Sequence, residues 1–73
     1  MYSKNSELTT REREVLKQVM MGLTNRQIAE NLTVTHHTVK AHVASILRKL
    51  DSKNRLEASL IAQRNNIINP LQD

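Results

Sequence analysis

Five bases, Lys40, Arg48, Lys49, Lys53 and Arg55, stand against one acid, Asp51, within residues 36–55. The remaining chain balances six bases with six acids, so this stretch carries the whole formal net charge of +4. Such a concentration of positive charge attracts polyanions, either nucleic acid or an acidic membrane surface. Val39, Val43, Ile46, Leu47 and Leu50 recur in it at the 3.6-residue period of a helix. With that stripe turned inward, His37, Lys40, Ala41, Ala44 and Arg48 face outward, with Ser45 beside them. Low side chains therefore occupy the middle of the face and cations its edges. A helix lying in a DNA major groove needs this pattern, small where it meets base edges and basic or hydroxylic where it meets phosphates. Scattered Lys and Arg usually mark a solvated face, but such a face mixes both signs, and residues 36–50 contain no Asp or Glu.

Catalytic chemistry finds no comparable support. The sequence has no nucleophile elbow, no glycine-rich phosphate loop and no His-Glu-x-x-His spacing. His36, His37 and His42 lack the i, i+3 or i+4 separation that puts two ligands on one helical face, and the chain has no cysteine. Neither an enzyme nor a metal site nor a bound cofactor is expected.

The elements that position the basic face follow from punctuation. With 73 residues there is room for one small domain, and with Tyr2 the only aromatic its core must come from Leu, Ile, Val, Ala and Met. No disulfide can add to so small a core, leaving helical packing or self-association to compensate. Gly22 and Pro70 are the only residues of their types, too few to punctuate several strands, so the fold is read as all-α. Four capping residues, Thr9, Thr24, Thr35 and Asn54, each precede an apolar periodic segment, and three have Glu or Gln three positions on. They predict helices over 10–21, 25–31, 36–50 and 55–65, with Gly22 and Asn66 as left-handed stops. Residues 8–68 are expected to form a four-helix bundle, and 1–7 and 69–73 to be flexible tails. Apolar runs such as Leu60 to Ala62 fall far short of the roughly 20 residues of a membrane span, and no signal peptide opens the chain. The expected location is the cytoplasm.

The second and third predicted helices are joined by only a few residues, with small Ala29 where they would cross. That is the spacing of a helix-turn-helix, although an ordinary helical hairpin shares it. The series Leu8-Thr9-Thr10-Arg11-Glu12-Arg13-Glu14-Val15-Leu16 adds to it. So do Gly22 with Asn25, Ile28 and Ala29, then Thr38-Val39-Lys40 with His42, and Lys49-Leu50 with Arg55 and Ala58. In these residues the chain resembles a LuxR-type (FixJ and NarL-like) helix-turn-helix domain, the DNA-binding unit of bacterial transcription regulators. The likeness covers about 8–68.

The resemblance implies that double-stranded DNA is the partner and that the third helix enters its major groove. It places Lys40, Ala41 and Ala44 at base edges and the groove floor, and Thr24, Asn25, Thr35 and Thr38 near phosphates. Helix N-termini, with free N–H groups, strengthen the latter. Ser45 and Arg48 complete the DNA-facing set; His36 and His37 are candidates for backbone contact, and His42 falls at a half-buried family position between helices. The fourth helix would pair with its symmetry mate through Leu56, Leu60 and Arg64, giving a homodimer, and RNA polymerase is a candidate further partner. Such domains usually follow a receiver or ligand-binding domain, so the chain reads as a single-domain regulator or as the C-terminal piece of a longer one.

The sequence departs from the family pattern at four positions. Gln27 replaces a common Glu, Ala44 a long polar residue, Ser52 an apolar plug at the turn after the third helix, and Asn66 a Gly. Ala44 shifts the expected readout toward DNA shape, and Ser52 suggests a looser corner. Two other readings use the same helices: a protein-interaction module working through the fourth helix, and a sigma-factor-like region, which shares the Arg-Glu-Arg-Glu opening.

Overall fold

The computed structural model describes residues 7–68. The expected tails beyond this range lie outside the described residues. Four helices run in order, α1 over Thr10–Met20, α2 over Asn25–Leu32, α3 over His36–Lys49 and α4 over Arg55–Arg64, and no strand occurs among the described residues. Every boundary falls within one residue of its sequence expectation.

Each start is fixed by the capping residue. Thr9 and Glu12 close a reciprocal capping box on α1, and Thr24 and Gln27 do the same on α2. The side chains of Thr35 and Asn54 accept from the backbone N–H of Thr38 and Glu57.

All four ends share one geometry. At α1, α3 and α4 a residue in the left-handed region follows the cap, at α2 the cap Thr33 is itself that residue, and in each the next N–H reaches back five residues, as in a Schellman motif. The left-handed residues are Gly22, Thr33, Asp51 and Asn66. The closing bonds are Leu23 N–H to Gln18 C=O at 3.1 Å, Val34 to Ala29 at 3.0 Å, Ser52 to Leu47 at 2.9 Å and Ile67 to Ala62 at 2.9 Å. Gly22 and Asn66 were expected stops. Thr33, β-branched at φ 56°, costs about 1–2 kcal/mol relative to glycine. It is tolerated because the turn must reverse the chain between α2 and α3 within three residues. The Ser52 corner is closed by its backbone bond and by its hydroxyl, which donates to Leu47 C=O at 3.4 Å.

The core is made of short aliphatic chains. Val15, Leu16, Ile28, Val39 and Ile46 are all but sealed from solvent, and Leu50, Ala58, Ala62, Ile67 and Ile68 surround them. Leu47 and Val43 pack against this cluster half-buried. Small Ala29 is buried where α2 meets α3, allowing the close approach the short turn requires. α3 packs on α1, α2 and α4 with one side, which leaves its other side to solvent.

Candidate nucleic-acid interface

Because Val39, Val43, Ile46 and Leu50 fix the inward side of α3, the residues on the opposite side are turned out. His36, His37, Lys40, Ala41, Ala44 and Arg48 are exposed, while Thr38, His42 and Ser45 are half-buried. Thr35, exposed at the N-cap, shares a 2.9 Å hydrogen bond between hydroxyls with Thr38. Thr24 is exposed and Asn25 half-buried at the start of α2. The expected DNA-facing residues thus gather on one side of α3 and on the first turns of α2 and α3.

Those two first turns differ from the others in charge. α1 and α4 carry Glu12 and Glu57 there, whereas α2 and α3 have no acid. Gln27 in place of Glu makes the same capping contact, Thr24 N–H to Oε1 at 2.9 Å, without a negative charge. Partial positive charge at both helix starts is therefore left uncompensated and available to an anion.

Not all of the basic stretch faces outward. Lys49 Nζ donates to Glu12 Oε1 at 2.7 Å, Ser45 Oγ donates to Glu12 Oε2 at 2.6 Å, and the Thr9 N–H reaches Oε1 at 2.9 Å. Glu12 is buried, with 5% of its surface exposed. Burial by itself would push its carboxyl up, but the hydrogen bonds from Lys49, Ser45 and Thr9 and the Lys49 charge outweigh burial and bring it from the usual 4.5 to about 2. One carboxylate thus locks α1 to the last two turns of α3. Arg55 is likewise turned inward, donating to Asn25 Oδ1 and to Leu23 C=O. Lys49 is neutralised by a buried acid and Arg55 is held by polar groups, leaving Lys40 and Arg48 as the cations of the outward face of α3 and Lys53 exposed in the turn that follows it. Ser45 gives its proton to Glu12 and accepts from Arg48 at 3.4 Å, so its hydroxyl belongs to an internal chain that ends at the surface.

Glu12 and Arg55 are the residues that sequence reasoning missed. Glu12 was legible as a capping-box partner, but its bonds span 33 and 37 residues, for which spacing gives no signal. On α4, alanines are buried while Leu56 and Leu60 are 70% and 47% exposed, with Arg64 exposed beside them. No helix among the described residues is long and apolar enough to cross a membrane, and no His, Cys, Asp or Glu cluster among them could hold a metal.

Comparison with known proteins agrees with this geometry. Residues 6–62 match the family described as bacterial regulatory proteins, luxR family. The transcriptional regulatory protein LiaR of Bacillus subtilis is 43% identical over 65 residues, covering 89% of this chain and 31% of that protein. The nitrate/nitrite response regulator protein NarL of Escherichia coli K12 is 46% identical over 55 residues, 75% of this chain and 26% of that protein. The uncharacterized transcriptional regulatory protein YxjL of B. subtilis is 48% identical over 60 residues, 82% of this chain and 28% of that protein. The chain therefore spans less than a third of the length of these relatives. With a family match across most of its residues and four helices that set a basic third helix outward, the chain belongs to the luxR family of bacterial regulatory proteins.

Proposed function

We propose that the chain binds double-stranded DNA in bacterial transcription regulation, with α3 in the major groove and the first turns of α2 and α3 on the flanking phosphates. The outward face of α3 carries this reading. It presents Lys40 and Arg48 around Ala41 and Ala44, on a helix without a single acid. The regulatory roles named for the LiaR and NarL relatives support it. Short Ala41 and Ala44 let the helix backbone approach the groove floor, and their lack of hydrogen-bonding groups favours shape over direct base readout. Catalysis has no part in this proposal, and the proposed location is the cytoplasm.

A homodimer through α4 completes the reading. Leucines at 70% and 47% exposure form the apolar centre of a two-fold contact, with Arg64 at its edge. Half-site spacing in duplexes selected from a random pool reports such a dimer directly.

Lys40→Ala is the experiment that tests the interface. Its side chain is exposed and makes no hydrogen bond or ion pair among the described residues, so the variant is expected to keep its circular dichroism and melting curve. DNA affinity should fall by about 1 kcal/mol or more, the cost of one basic contact. Unchanged affinity in a folded variant removes Lys40 from the interface.

A further inference from the structure

We propose that Arg55, at the start of α4, is a positioning residue for the DNA interface: by holding Asn25 Oδ1 it turns the amide's Nδ2 donor outward to a backbone phosphate. The inference rests on the DNA-binding reading above and assigns to that site a residue outside the recognition helix. Arg55 is half-buried and reaches across 30 residues. One terminal nitrogen donates to Asn25 Oδ1 and the other to Leu23 C=O at 2.8 Å. The second bond anchors the guanidinium on the turn between α1 and α2, so it acts as a fixed post rather than a swinging side chain.

The consequence lies in the polarity of the amide. A side-chain amide has an accepting end and a donating end and fits many sites either way round. A guanidinium has donors only, so it selects the orientation with Oδ1 toward itself and Nδ2 away. Nδ2 has no acceptor among the described residues and is not a buried atom without a partner, so it opens to solvent. A phosphate oxygen only accepts, and it is met favourably by Nδ2 and unfavourably by Oδ1. Asn25 also stands in the first turn of α2, which lacks acids. Without Arg55 the amide would be free to rotate and present its oxygen to the phosphate.

The test is a double-mutant cycle read by fluorescence anisotropy with a labelled random-sequence DNA duplex at fixed salt. Asn25→Ala and Arg55→Met are each expected to weaken binding about three- to tenfold, the range of one net hydrogen bond. The double variant should lose less than the product of the two, because the contact can be lost only once. A loss equal to the product overturns the proposal, since Arg55 then acts through its charge alone. Asn25→Asp supplies an arm that does not depend on how Arg55→Met folds. It keeps the pairing with Arg55, so melting should be retained, yet it replaces the donor with an anion and should bind more weakly than Asn25→Ala; equal or tighter binding overturns the proposal. Wild-type affinity in Asn25→Ala, with Lys40→Ala still weakened, overturns the role of Arg55 while leaving the DNA-binding reading intact. Absence of salt-dependent binding by the wild type overturns both.

Discussion

Val39→Asp abolishes folding. Val39 lies on the inward stripe of α3 with no exposed surface and sits in one cluster with Leu16, Ile28 and Ile46. A carboxylate there has no cation or donor to meet it, and leaving a charge unpaired in an apolar interior costs several kcal/mol even if the group neutralises itself by taking a proton. A domain of this size holds about 4–11 kcal/mol of stability, so the substitution consumes most or all of it. Circular dichroism should show an unfolded chain at pH 7. Val43, one turn further along, is half-buried, and an aspartate there can turn toward water. It should therefore be the milder variant. If Val39→Asp keeps the wild-type melting curve, α3 is rotated from the orientation described, and the outward face with it.

Lys49→Met gives the second large effect, and pH identifies its cause. Glu12 is buried and stays charged because Lys49, Ser45 and the Thr9 N–H all donate to it. Its carboxyl titrates near 2 in the folded chain against 4.5 ordinarily. A lowered folded value means that the unfolded chain binds the proton more readily. The stabilisation is therefore complete above about pH 5 and is lost as pH falls toward 2, amounting to about 3 kcal/mol at neutral pH. Removing the ammonium leaves a buried anion with two neutral donors. Stability at pH 7 should drop by about 2–3 kcal/mol, somewhat less than for a fully buried pair because Lys49 retains 25% of its side-chain surface. Urea melts of wild type and variant should differ most at pH 7 and converge toward pH 2. A difference that does not change with pH would mean that Lys49 contributes through its aliphatic stem alone.

Much of this arrangement is legible in the sequence, and the remainder divides by physical cause. Helix starts are local events: Thr9, Thr24, Thr35 and Asn54 satisfy N–H groups three residues away, so a reader of spacing finds them. Helix ends are less local. Gly22 and Asn66 advertise a left-handed conformation, whereas Thr33 adopts it against its own preference because tertiary packing demands the turn. The inward and outward sides of α3 follow from periodicity, as do the exposed Leu56 and Leu60 of α4. Charge is where counting misleads. Lys49 and Arg55 look like two more cations for a phosphate, but a carboxylate and an amide far away in sequence claim them. A formal excess of +4 thus becomes a smaller face, centred on Lys40 and Arg48, with two acid-free helix starts beside it.

The salt dependence of duplex binding tests that face most directly. Each phosphate contact releases counterions, so the logarithm of the wild-type affinity should fall linearly and steeply with the logarithm of salt concentration. Arg48→Ala, folded as judged by its melting curve, should bind more weakly and reduce that slope by about one contact. A wild-type affinity that is absent, or that does not change with salt, contradicts the account and assigns these helices to a protein partner instead.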